Sequence, residues 1–348
     1  MRINYGRINL FAGIANLSSN IKLFDLSRDD IEHICRFFGL GDLRGYEKEK
    51  GVTVSHYNAV VFIATTKGQY ILKFYPPNSA KSIVAEYILN HILLHHHFLT
   101  PTMYAGLRGQ PFCPSNNRLV ACYAYINAPQ AWQAIHQRNT LSKINAALLA
   151  LKKILSETRV PLPCPKQKSI WGTLTVLRQD TKGLMPCDQK DLIDAYLLAA
   201  CRTYHHNQQL FTRQRLHTNA HLDNFLIYKG KIYTLDLSHV QEDHILADLR
   251  DVVVSCMLIG SPAATIKTVI NDYLAQHGLR QELFLVLDTL IKIELIKNYL
   301  KNIQYEKSVG LSVYPKALKR AHIPKLSQRK KFIISLLKKM NALYRLMV

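Results

Sequence analysis

The apolar pattern of this 348-residue chain changes character once, near residue 128, and that change limits what the chain can fold into. Before it, short runs of β-branched and aromatic residues alternate with turn signals. Val60 to Thr65 and Gln69 to Tyr75 read as two strands joined by a tight turn at Lys67-Gly68, and Arg118 to Ile126 reads as another buried strand. Ser27 is placed to cap a short helix that runs to Phe38 and stops at Gly39, and Ser79 to His97 reads as a second helix. Beyond Ala128, helical periodicity dominates over 140–157, 189–206, 244–259, 263–277, 281–303 and 328–347. One segment interrupts it. From Phe225 to Leu237, two short apolar runs flank Lys229-Gly230 as in a hairpin. The expectation is an α+β, two-lobed architecture: a small antiparallel-sheet lobe over 25–127, a larger helical lobe over 128–348, and an N-terminal extension over 1–24.

Cysteine usage and charge narrow the class. The seven cysteines, at 35, 113, 122, 164, 187, 201 and 256, are odd in number and never spaced C-x-x-C, which argues against a disulfide framework or a zinc knuckle. No uncharged apolar run reaches the roughly 18 residues of a membrane helix, so a cytoplasmic protein is expected. The net charge of +21 favours an anionic partner: nucleotide, nucleic acid, acidic lipid or acidic protein. No specific nucleic-acid module is recognisable. Ten Lys or Arg and no acid fall in 316–348. There, Phe332, Ile333, Leu336, Leu337, Met340, Leu343, Tyr344 and Met347 form one helical stripe. The same pattern suits a helix docked on the large lobe or one resting peripherally on an acidic membrane. A helical lobe must cover its core, which favours docking.

The chemistry concentrates around the hairpin. If it closes at Lys229-Gly230, its outer ends bring Asn224 and Asp236 together, and one amide oxygen with one carboxylate suits a magnesium ion that keeps water and binds phosphate. Upstream, Tyr70-Ile-Leu-Lys73-Phe sets one lysine in an apolar strand, where a buried ammonium group demands an anion. Glu86 lies thirteen residues on, in a largely apolar helix. A strand lysine paired to a helix glutamate, with the lysine reaching nucleotide phosphates, is an arrangement that kinases use.

In that order, these motifs resemble the aminoglycoside phosphotransferase and choline kinase superfamily, a protein-kinase-like fold, and within it the homoserine-kinase-like branch most of all. The superfamily's loop His-Gly-Asp-Leu-x-x-x-Asn has its counterpart in His217-Thr-Asn219-Ala-His-Leu-Asp-Asn224. Leu235-Asp236-Leu237 and Asp248-Leu249 follow as the family's Ile-Asp-Phe and Asp-Leu do. The resemblance implies an ATP- and magnesium-dependent transfer of phosphate to a small-molecule hydroxyl. It implies that Lys73 holds phosphates, that Glu86 orients Lys73, and that Asn224 and Asp236 bind the metal. Tyr125-Ile126 becomes the hinge that meets adenine through its backbone, Asp248 a buried anchor of the loop, and 51–58 the nucleotide loop. His217 and Asn219 occupy the catalytic loop, and Asn219 stands where the family has its catalytic aspartate. A carboxamide cannot take a proton from an attacking hydroxyl, and a general base contributes roughly 100- to 10,000-fold. Two readings follow: a kinase with weakened catalysis, and a nucleotide-binding pseudokinase with a regulatory or binding role. The acceptor stays open among homoserine, amino alcohols, sugars and antibiotics, since the superfamily builds its acceptor pockets from variable helices.

Overall fold

The computed structural model describes residues 26–47, 59–135, 139–163, 177, 187–309, 333–335 and 337. The N-terminal extension, the expected nucleotide loop at 51–58 and most of 328–347 lie outside the described residues.

Helix α1 (Arg28–Phe38) starts at Ser27, whose side chain and backbone exchange hydrogen bonds with Asp30 in a capping box. It stops at Gly39, which takes the left-handed conformation at φ 65° that closes a helix. The sheet that follows comprises β1 (Leu43–Glu47), β2 (Ala59–Thr65), β3 (Gln69–Tyr75), β4 (Met103–Tyr104), β5 (Cys113–Ser115) and β6 (Arg118–Ala124). Every pairing in it is antiparallel, and β3 lies between β2 and β6. Strand alternation divides its side chains. Leu72 and Phe74 pack with Val61, Ile63 and Val120 against Ile31 and Ile34 of α1. Tyr75, Met103, Leu119 and Ala121 meet Ile83 of helix α2 (Ala80–His95) on the opposite face. Lys73 shares that second face, opposite Ala121 in register.

Helices α3 (Thr140–Glu157), α4 (Cys187–His206), α5 (Ala247–Leu258), α6 (Ala263–Gln276) and α7 (Phe284–Val309) build the second lobe. Their common core holds Ile144, Leu148, Ile193, Leu249, Val253 and Tyr273. Ile333 and Leu337 are buried in the same core, and the Tyr196 hydroxyl donates to the Leu337 carbonyl at 2.8 Å, so this turn of the tail is docked. Among the described residues, no helix is long and apolar enough to cross a membrane.

Two short strand pairs carry the site. The hairpin of β8 (Phe225–Tyr228) and β9 (Lys231–Thr234) turns at Lys229-Gly230 as expected. It ends earlier than the reading to Leu237, because Asp236 adopts a left-handed backbone at φ 58° that breaks the ladder. The strands β7 (Arg213–Leu216) and β10 (Gln241–His244) pair with each other and bracket this hairpin in sequence. The helix expected over 244–259 starts at Ala247, because His244 is the last residue of β10. Its Nδ1 accepts the Leu246 N–H at 3.0 Å, turning the chain into the helix.

Candidate active site

The loop 217–224 between β7 and β8 is held by one face of α5. Asp248, Asp251 and Ser255 recur at helical spacing, and each receives a backbone N–H from the loop. Asp248 accepts from His217 at 3.3 Å and Thr218 at 2.7 Å, Asp251 from Ala220 at 3.2 Å, and Ser255 Oγ from Leu222 at 3.3 Å. A buried N–H left without a partner costs about 1–3 kcal/mol, so this helix face sets the loop's shape. Burial pushes the Asp248 carboxyl up to about 7 against the opposing pull of its two backbone donors. The role implied for Asp248, an anchor of the loop, matches this geometry. Asp251 and Ser255, three and seven positions on, share the task; their spacing from Asp248 was the available signal.

His217 is fully buried, and its Nε2 donates to the Leu235 carbonyl at 2.7 Å. Burial lowers its pKa. Through its bond to the Leu235 carbonyl, His217, which the resemblance places in the catalytic loop, straps that loop to the hairpin. Thr218 follows at φ 57°, a left-handed conformation that costs a β-branched residue roughly 1–2 kcal/mol. Its hydroxyl donates to the His239 carbonyl at 2.5 Å.

Asn219, Asn224 and Asp236 are brought together. Leu235 N–H donates to the Asn224 carbonyl at 2.8 Å, and Asn224 Nδ2 donates to the Asn219 carbonyl at 2.7 Å. Asn219 Nδ2 donates to Asp236 Oδ2 at 3.1 Å. From the sheet, Lys73 Nζ reaches Asp236 Oδ1 at 2.5 Å, joining positions 163 apart in sequence. Ser238 Oγ donates to the same Oδ1 at 2.6 Å, and His239 Nε2 stands 3.3 Å from Oδ2. Burial pushes the Asp236 carboxyl up, yet Lys73, His239 and Ser238 together hold it well below the ordinary carboxylate range. The same surroundings raise Lys73: Asp236 and Glu86 outweigh the lowering effect of burial. Asn224 Oδ1 and the Asp236 carboxylate are the oxygen donors this cluster offers, and oxygen donors are the ligand chemistry that a hard cation such as magnesium takes.

The expected Lys73 to Glu86 ion pair is absent among the described residues. The Glu86 carboxylate, 2% exposed, accepts from the Tyr75 hydroxyl at 2.8 Å and the Tyr123 hydroxyl at 2.9 Å. Both tyrosines pack their rings in an apolar cluster with Ile83 and Met103, and both are part of the site's hydrogen-bond network as well. Residues 75 and 123 lie on the Lys73 face of neighbouring strands, so β alternation delivers both hydroxyls to the helix that carries Glu86. Tyr125 and Ile126 follow β6 in the connection to the helical lobe, with Tyr125 N–H donating to Gln69 O at 3.3 Å. Asp223 is held up in pKa, first of all by burial.

The family model described as "Phosphotransferase enzyme family" matches residues 50–283. No curated protein matches the sequence. Among solved structures, an amicoumacin kinase complexed with AMP-PNP, Ca2+ and Ami is 15% identical, covering 90% of this chain and 94% of its own, with TM-score 0.65. A spectinomycin phosphotransferase complexed with ADP and spectinomycin is 13% identical, covering 92% and 99%, with TM-score 0.59. A choline/ethanolamine kinase family protein from Mesorhizobium loti is 11% identical, covering 91% and 99%, with TM-score 0.56. These likenesses share the two-lobed fold of the aminoglycoside phosphotransferases and choline kinases; they do not single out the homoserine-kinase-like branch.

Proposed function

Since this chain belongs to the phosphotransferase enzyme family, we propose that it transfers a phosphoryl group from ATP, bound with magnesium, to the hydroxyl of a small molecule. The observation that carries this reading is the meeting of Lys73 and Asp236 at 2.5 Å, across the sheet and the helical lobe, beside Asn219. Both charged side chains are partly open, at 12% and 17% exposure, so an incoming phosphate has access to them.

In the proposed mechanism, Lys73 exchanges its carboxylate partner for nucleotide phosphate oxygens. Asn224 and Asp236 hold magnesium, which when bound neutralises charge on the transferring phosphoryl group. Tyr125 and Ile126 present backbone groups to adenine. Asn219 orients the acceptor hydroxyl through its amide oxygen, while its amide nitrogen stays on Asp236. Phosphoryl transfer depends chiefly on positioning and electrostatics, so a loop fixed by Asp248, Asp251 and Ser255 supports transfer even where no carboxylate takes the proton. The nucleotide complexes of the amicoumacin and spectinomycin enzymes support the choice of donor.

A second reading, a nucleotide-binding pseudokinase with a regulatory or binding role, is favoured by one observation. Asn219 is a hydrogen-bond donor to Asp236 and cannot be a general base. Thermal shift with ATP, with and without magnesium, tests nucleotide binding. Turnover on a panel of amino alcohols, sugars, homoserine and antibiotics then separates the readings. Absence of any shift at millimolar ATP overturns both, and binding without turnover leaves the pseudokinase.

A further inference from the structure

Both oxygens of Asp236 are already engaged by the protein. A carboxylate offers about four acceptor positions. Oδ1 takes Lys73 Nζ and Ser238 Oγ, and Oδ2 takes Asn219 Nδ2 with His239 Nε2 beside it. Two of the contacts on this carboxylate, from Lys73 and from Asn219, have separate causes. Lys73 is directed to Asp236 because Glu86, the other acid near it, is satisfied by the hydroxyls of Tyr75 and Tyr123. Asn219 donates because it carries an amide; an aspartate at the same place would repel Asp236 instead. Ser238 adds a short bond to Oδ1 and also accepts from Lys73 at 3.1 Å, closing a three-membered ring of contacts.

We propose that this ring is a latch that excludes divalent cations from Asp236 until nucleotide phosphate draws Lys73 away, with Ser238 and Asn219 as the positioning residues that set it. The order of binding is then nucleotide first and cation second, or both as one complex. Asn224 alone supplies a single neutral oxygen, too little to hold a magnesium-like ion against its hydration. This inference rests on the nucleotide-binding reading above, and its test does not use catalysis.

The probe is Mn2+ alone, titrated into the full chain without nucleotide and followed by water-proton relaxation. Wild type is expected to show no saturable site in the range where the Ser238→Ala, Asn219→Ala double variant saturates, an affinity difference of at least about tenfold for removing two hydrogen bonds to a charged acceptor. Lys73→Met opens the latch from the sheet side without touching the loop, and it is expected to bind Mn2+ at least as tightly as the double variant. Agreement of these two unrelated variants excludes local unfolding as the cause. Equal Mn2+ affinity in wild type and both variants, whether tight or absent, overturns the latch. Binding of a fluorescent ATP analogue in EDTA is measured in parallel. Its failure would overturn the nucleotide reading, whereas equal Mn2+ affinities with intact nucleotide binding would overturn the latch alone.

Discussion

Replacing Asn219 with aspartate is the most informative single change, because it restores the family's catalytic group and breaks a contact at once. The amide nitrogen of Asn219 donates to Asp236 Oδ2 at 3.1 Å. A hydrogen bond to a charged acceptor contributes about 1.5–3 kcal/mol, and the substitution removes it. It also sets two carboxylates about 3 Å apart, a repulsion of roughly 5 kcal/mol at an effective dielectric near 20. Lys73 on Oδ1 and the 17% exposure of Asp236 reduce that figure, so a net loss of about 3 kcal/mol is expected in EDTA. At about 2 °C per kcal/mol for a chain of this length, the melting temperature should fall by about 6 °C. The two carboxylates can share a proton, so the loss should shrink toward acid pH, where the folded pair binds a proton that the unfolded chain does not. Magnesium with ATP should recover most of the lost stability by neutralising the pair, and phosphotransfer should rise at least about tenfold over wild type. The assays are melting in EDTA and in magnesium-ATP, then turnover. A variant that melts with wild type in EDTA would refute the donor role of Asn219, and one that magnesium-ATP fails to rescue would refute the charge argument.

Three further outcomes follow from the same geometry. His244 is buried, its Nδ1 accepts the Leu246 N–H at 3.0 Å, and burial lowers its pKa to about 4 from the ordinary 6.5. Its contribution to stability is therefore complete above about 6.5 and lost as pH falls toward 4, by up to about 3 kcal/mol; His244→Phe should flatten the acid limb of a melting-temperature profile, and an unchanged slope would remove His244 from the account. At Thr218, with φ 57° and its hydroxyl on the His239 carbonyl, Thr218→Ala keeps the strain and loses the bond, whereas Thr218→Gly loses both; urea unfolding should find the glycine variant more stable than the alanine variant by about 1 kcal/mol, and the reverse order would contradict a strained loop. Asp248→Ala leaves two loop N–H groups unpaired and should cost about 2–5 kcal/mol while abolishing nucleotide-dependent activity; a loss below 1 kcal/mol would show that the loop does not depend on this anchor.

Much of the fold was legible because its elements carry their own periodicity. Ser27 and Gly39 mark both ends of α1 with local hydrogen bonding and a left-handed φ, and neither needs a distant partner. The strand Gln69–Tyr75 and the helices Thr140–Glu157 and Ala263–Gln276 announce themselves by alternation and by helical spacing. The strands Arg213–Leu216 and Gln241–His244 were not legible. Arg-Gln-Arg-Leu and Gln-Glu-Asp-His show no apolar alternation, and they become strands only because each supplies the other's ladder.

The site divides along the same line. The chain order Lys73, Glu86, His217, Asn219, Asn224, Asp236 and Asp248 fixes which groups are available, since the strand, loop, hairpin and helix that carry them are local structures with local causes. Which group pairs with which is decided only when the two lobes meet. Lys73 turns to Asp236 rather than Glu86 because two tyrosine hydroxyls from adjacent strands reach the glutamate first. Tyrosine in a strand reads as apolar surface, and nothing in its position tells where the hydroxyl at the far end of the ring will be satisfied. A sequence thus specifies charges and their order. The distances between charges drawn from separate elements are set by packing, and at a few ångströms those distances decide the partner.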